Sequence, residues 1–102
     1  MHTITSNFEN GKLTVFIERD IDHHNAMLLR REIDEEIGKY RPGLVILNFD
    51  AVEFIDSSAI GLIMGRYKLI NNAGGELKIA VLNARCKKLI EISGITQLVK
   101  SL

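Results

Sequence analysis

Residues 44–73 read LVILNFDAVEFIDSSAIGLIMGRYKLINNA, and the change of period inside them decides the fold. Residues 44–49 are dominated by apolar and β-branched side chains, and residues 52–55 form a second short run, so the segment opens as buried strand. Beyond it, apolar residues recur at Ile60, Ile63, Met64, Tyr67 and Ile70, the three-and-four spacing of a helix face. Asp56, Ser57 and Ser58 stand at the junction. They are helix-starting types, because a short side-chain oxygen can accept from the unpaired N–H groups of the first turn. Ser57 is thereby placed near the positive end of a helix, at the surface.

The whole chain bounds what can be built on that stretch. Its 102 residues predict one domain, residues 1–102, with a core but no room for an elaborate active-site cleft. A formal net charge of zero argues against broad binding to nucleic acid or to an anionic membrane, both of which need a surplus of Lys and Arg. Cys86 is the single cysteine, so no intrachain disulfide or cysteine-based metal cluster can form, which suits a reducing compartment. The first twelve residues lack the apolar core of a signal peptide, and no apolar run approaches the roughly 18 residues of a membrane span. A cytoplasmic location is expected.

Outward from the central stretch, residues 3–8 and 12–18 read as two strands around Glu9-Asn10-Gly11. Asn-Gly between alternating β-formers signals a hairpin, because both residues tolerate positive φ. Asp22 is the expected N-cap of a helix running to about Lys39, with Ala26, Leu29, Ile33 and Ile37 as its apolar stripe and Arg30, Arg31, Asp34, Glu35 and Glu36 toward solvent. Tyr40 to Gly43 end it around Pro42. After the central helix, Asn72 to Gly75 mark a stop, with a glycine for the left-handed position. Residues 76–82 are a strand, residues 84–93 a short helix presenting Leu89, Ile90 and Ile92, and residues 97–102 a last edge strand or frayed tail. The order β-β-α-β-α-β-α-β is that of an α/β sheet with helices on one or both faces.

Five groups could carry chemistry. A serine at a helix start sits where negative charge is tolerated, by roughly 0.3–1 kcal/mol, so a phosphoserine would fit at Ser57. From the turn alone, the simpler reading is that the same three residues do no more than cap the helix, and the functional one needs independent support. His23 and His24 are adjacent rather than three or four apart, so a helical metal site is not offered; they read as partly exposed helix-start residues or as part of a partner surface. Asp20, Asp22, Asp50, Glu53 and Asp56 lie near strand ends as a solvated rim, with no spacing that picks out an acid and a base. Gly61 and Gly65 make a flat strip open to a partner or packed on the sheet, whereas Gly74-Gly75 closes a helix and is no phosphate loop. Lys87 and Lys88 could lower the thiol pKa of Cys86, although a lone cysteine there is more simply packed.

Asp22-His23-His24, Leu47-Asn48, Phe54-Ile55-Asp56-Ser57-Ser58-Ala59-Ile60-Gly61 and Gly65-Arg66-Tyr67-Lys68 together closely resemble the STAS-domain anti-sigma-factor antagonists, especially the sporulation type. Gly74-Gly75-Glu76 and Ser93-Gly94 extend the match along nearly the whole chain. The resemblance implies a small mixed β-sheet of about five strands covered by α-helices, and a binding partner rather than an enzyme. It implies that the unmodified form binds a kinase-type anti-sigma factor and frees the sigma factor. The same kinase, using ATP, would phosphorylate Ser57, and a PP2C-type serine phosphatase would reverse the change. Asp22, His23, His24, Asp56, Ser57 and Ser58 fall on the implied docking surface. The chain itself is expected to need no cofactor, to be a monomer when free, and to touch neither nucleic acid nor membrane. Arg19-Asp20 stands where many relatives have Gly-Glu, Ala59 replaces a common glycine, and the chain stops soon after Gly94. Two other readings are a STAS module in a stress-response or other signalling complex, and a small enzyme using Ser57 as nucleophile. The latter needs a general base within hydrogen-bond reach.

Overall fold

The computed structural model describes residues 3–102; Met1 and His2, which the one-domain and leader readings included, lie outside the described residues. The elements are β1 (Ile4–Glu9), β2 (Lys12–Ile17), α1 (Ala26–Tyr40), β3 (Leu44–Asn48), α2 (Ser57–Asn72), β4 (Glu76–Ala80), α3 (Ala84–Ser93) and β5 (Lys100–Ser101), with a 3₁₀ turn at Ile95–Gln97. They form one mixed five-stranded sheet in the order β1-β2-β3-β4-β5. β1 pairs antiparallel with β2 through the hairpin, where Asn10 (φ 53°) and Gly11 (φ 78°) adopt the left-handed conformation that such turns require. The other three pairings are parallel.

Topology then places the helices. Each β-α-β crossover steps one strand further in the same direction, and right-handed connections put α1, α2 and α3 on a single face. The strands follow that division: Leu13, Val15 and Ile17 of β2 are buried, whereas Lys12 and Phe16 point to the open face. Phe49, Leu29, Ile33, Ile63, Ile70, Cys86 and Ile90 belong to one core shared by sheet and helices. At the end of the sheet where the hairpin lies, Gly75 has no room for a side chain. A Cβ there would lie 3.0 Å from Ile70 Cγ2 and 3.1 Å from the Gly43 carbonyl oxygen.

Several local expectations are corrected. α1 starts at Ala26 with Asn25 in the N-cap position, because residues 22–25 first close a turn of their own. Residues 52–55 are not a strand; only an isolated parallel bridge joins Ile55 to Ile21. β4 stops at Ala80, since Val81 turns to φ 60°. α3 buries Cys86 and Ile90 and leaves Ile92 73% exposed, so its apolar face is rotated from the expected one. Asp34 and Glu36, expected toward solvent, instead partner Arg66 and Ser6.

Candidate docking and phosphorylation site

The C-terminal ends of parallel β2, β3 and β4 open on the same edge of the sheet, where α/β folds place their sites. The connections there are tied to one another. Ile21 N–H donates to the Phe54 carbonyl at 3.2 Å and Asp56 N–H to the Ile21 carbonyl at 3.0 Å. Asp20 Oδ1 accepts from the N–H groups of Glu53 and Phe54 at 2.8 and 3.1 Å. From the third connection, Asn83 Nδ2 donates to the carbonyls of Val52 and Glu53, while its Oδ1 accepts from Cys86 N–H and caps α3. The segment leading into Ser57 is therefore held on both sides.

Ser57 is the first residue of α2 and is exposed. The N-cap before it is Asp56, in extended conformation, whose Oδ1 accepts from Ser58 N–H at 2.7 Å. Its other oxygen, Oδ2, accepts from His23 N–H at 3.3 Å. The Ser58 N–H bond, chiefly, holds the Asp56 carboxyl below the ordinary aspartate value; burial opposes this, and the Ser58 hydroxyl and His23 add to the lowering. Asp22 organises the adjoining turn, its Oδ1 accepting from His24 and Asn25 N–H groups at 2.9 and 3.0 Å. His23 and His24 are exposed, and their ring centres lie 3.9 Å apart at an interplanar angle of 38°. Asp22, His23 and His24 are thus brought beside Asp56, Ser57 and Ser58 across 33 residues of sequence. Among the described residues no group of three or more His, Cys, Asp or Glu side chains could hold a metal ion.

The roles of other residues at this edge escaped the sequence reading. Phe54 is 51% exposed, with the Arg85 guanidinium 4.4 Å from its ring centre. Asp20, Asn25 and Asn83 act through side-chain bonds to backbone, a role suggested only by their being Asx residues in turns. Cys86 is packed, and its thiol is not activated: burial and then Asp20 push its pKa up, with Arg85 only partly opposing. Beside Ser58, an open cleft of about 320 Å³ separates α1 from α2, with Arg30, Arg66, Gly61 and Gly65 in its lining. Neither glycine packs closely on its own fold, for a Cβ on either would meet nothing within 4 Å. Arg66 is 7% exposed and its Nε lies 2.8 Å from Asp34 Oδ1 of α1.

Comparison with known proteins extends this geometry. The STAS domain matches residues 3–101. An anti-sigma F factor antagonist of Paenibacillus polymyxa is 36% identical over 85 residues, covering 83% of this chain and 73% of that one. An anti-sigma-B factor antagonist of Bacillus subtilis is 29% identical over 87 residues, covering 85% and 78%. Among solved structures, the anti-sigma factor antagonist SpoIIAA in its unphosphorylated form superposes with a TM-score of 0.81 at 21% identity, over 97% of this chain and 87% of that one. The phosphorylated form from Bacillus gives 0.72 at 21% identity, over 97% and 90%. These superpositions establish the fold, and the domain match together with the 36% identical relative establishes the family: the chain belongs to the STAS domain family.

Proposed function

We propose that this chain is an anti-sigma factor antagonist that works by partner switching. Its unphosphorylated form docks a serine-kinase anti-sigma factor and frees the sigma factor; phosphorylation of Ser57 by that kinase, with ATP, ends the interaction, and a PP2C-type phosphatase restores it. The observation that carries this reading is the position of Ser57. It is the exposed first residue of α2, next to an N-cap aspartate that is itself tied to the His23 turn. The relatives' names support the output: the 36% identity to the sigma F antagonist of Paenibacillus polymyxa is the basis for the sporulation reading, while a second sigma F antagonist at 26% and a sigma-B antagonist at 29% keep a stress-response complex as the alternative. The protein acts as a cytoplasmic binding module, monomeric when free and without a cofactor, rather than as an enzyme; no helix among the described residues is long and apolar enough to cross a membrane.

The switch is local and electrostatic. A phosphate on Ser57 adds about −1.5 to −2 charges and three acceptor oxygens. The unpaired N–H groups and dipole of α2 make that tolerable for the domain, so no refolding is needed. The partner meets the change instead: a phosphate inside the docking patch must be desolvated beside the Asp56 carboxylate. A loss of about 3 kcal/mol lowers affinity roughly a hundredfold. The test is binding of the cognate kinase by a pair of variants. Ser57→Ala is expected to bind constitutively and Ser57→Asp weakly, with both as stable as the parent. Equal affinity for the two variants would sink the switch, and an enzymatic serine would instead leave activity dead in both.

A further inference from the structure

On one side the sheet ends at β1, and the outer edge of that strand is open. The two-residue turn makes Glu9 and Lys12 a hydrogen-bonded pair, so Asn7 with Thr14 and Thr5 with Phe16 bond inward. The bond from Glu18 N–H to the Thr3 carbonyl at 2.9 Å continues the same alternation. The N–H and C=O groups of Ile4, Ser6 and Phe8 therefore point away from β2, and no strand among the described residues takes them up. Nothing in the strand blunts this edge. Residues 4–9 read ITSNFE, with no Lys, Pro or bulge, whereas the opposite edge strand, β5, is two residues long.

One flank of the open edge is acidic. The side chains of Ile4, Ser6 and Phe8 lie on the helix-covered face, where Ser6 Oγ donates to Glu36 and Phe8 stacks on Tyr40 with ring centres 4.6 Å apart. Between strand and helix runs an open cleft of about 260 Å³ whose charged lining is Glu32, Glu35 and Glu36, with no basic side chain, in a chain of zero net charge. Lys39, in the last turn of α1, is engaged over the Tyr40 ring at 5.0 Å. At the start of the edge, Thr3 N–H donates to Glu32 Oε1 at 3.2 Å, and Thr3, only 2% exposed, has no partner for its hydroxyl. Buried polar groups are ordinarily paired, so hydrogen-bonding capacity is left over beside Glu32 as well as along the strand. The opposite flank of α1 meets α2, through Asp34 and Arg66, so the width of α1 separates this cleft from the helix that carries Ser57.

We propose that the β1 edge takes up an extended, basic segment of a partner protein as a sixth strand. The segment's backbone bonds to the outward groups of Ile4, Ser6 and Phe8, and its Lys or Arg side chains, at alternate positions on the helix-covered face, reach Glu32, Glu35 and Glu36. Charge decides against a second copy of this chain as the occupant. Two β1 edges joined about a two-fold axis would set the acidic flanks of both α1 helices against each other, whereas a basic strand neutralises them. The site is distinct from the Ser57 edge, and the proposal does not depend on the partner-switching reading.

The experiment titrates the isotope-labelled full chain with a short peptide of alternating Lys and Val, and separately with its Glu and Val counterpart, following amide shifts and amide hydrogen exchange. The basic peptide is expected to bind, more weakly as salt is raised, and to slow exchange at Ser6 and Phe8 while leaving Thr5 and Asn7, already bonded to β2, as they were. The acidic peptide is expected not to bind. Glu35→Lys should weaken binding of the basic peptide by about tenfold, and Glu91→Lys, on α3, should leave it unchanged. Ser6→Pro removes one outward N–H where an edge strand tolerates proline and should abolish binding; if that variant does not fold, Glu35→Lys decides. No binding of the basic peptide, equal binding of both peptides, shifts centred on another surface, or an unchanged affinity in Glu35→Lys would overturn the proposal. Self-association of the free chain with protection of the Ser6 and Phe8 amides would overturn it too, by giving the edge to a second copy.

Discussion

The two ends of the sheet are held by different chemistry. At the hairpin end the ties are backbone to backbone. Gly11 O accepts from Gly43 and Leu44 N–H groups, Gly43 O from Glu76, and Ile70 O from Gly75. Four of the six left-handed residues of the described chain, Asn10, Gly11, Arg41 and Gly74, lie here. At the other end backbone ties such as Ile21 to Phe54 and Asp56 to Ile21 are joined by many from side chain to backbone, through Asp20, Asp22, Asn25, Asp56 and Asn83. One end needs small residues and permissive φ; the other needs carboxylates and amides at fixed places. Both ends expose charged side chains, but the second also holds a helix start whose first residue, Ser57, is exposed. A rigid edge of this kind can accept a phosphate as a change of charge rather than of shape.

Substitutions that separate the two ends should follow this division. The largest stability loss is expected at the hairpin end. Gly75→Ala pushes a Cβ against Ile70 and the Gly43 carbonyl and should cost about 1–3 kcal/mol in urea unfolding, leaving kinase affinity of the folded protein unchanged. Asp20→Ala removes the acceptor for two N–H groups in the segment before Ser57. It should cost about 1–2 kcal/mol and, unlike Gly75→Ala, also weaken binding, as calorimetric titration with the kinase would register. Gly74→Ala forces a side chain into φ 83° and should lower stability by about 1 kcal/mol with no effect on binding.

The smallest effect is expected from pH at Asp56. Its folded pKa is depressed, so its contribution to stability is complete above the unfolded value of about 3.9 and is lost as pH falls through the folded value. Asn keeps one acceptor oxygen for Ser58 N–H but loses the one that takes His23 N–H, so Asp56→Asn should be slightly less stable than the parent at neutral pH in thermal unfolding and lose less stability between neutral and strongly acidic pH. A substantial loss at pH 7 would mean that the carboxylate charge, not the cap geometry, holds the turn.

Much of this was legible in sequence because it is written locally. The period change at Asp56, the Asn10-Gly11 hairpin and the stop at Gly74-Gly75 are short-range signals, and the hairpin and both ends of α2 lie where those signals place them. What escaped depends on partners distant along the chain. Asp20 read as a solvated rim because its acceptors' partners, Glu53 and Phe54, are more than 30 residues away. Arg66 stood in a family motif, but nothing nearby told that Asp34 of α1 would face it and bury it. The stretch 52–55 is β-rich by composition and still forms no strand, since Asp20, Ile21 and Asn83 take up its backbone groups instead of a neighbouring strand. Asp22, expected to cap α1, caps the turn before it; the short-range preference was right and the boundary was off by three residues.

The most direct measurement is intact mass with site mapping after the chain is incubated with its cognate kinase-type anti-sigma factor and ATP. The account predicts one phosphate, on Ser57, absent from Ser57→Ala, with backbone amide shifts confined to the edge around Asp56 and His23. No phosphate despite demonstrable binding, a phosphate on another residue, or shifts spreading across the sheet to the hairpin end would contradict it.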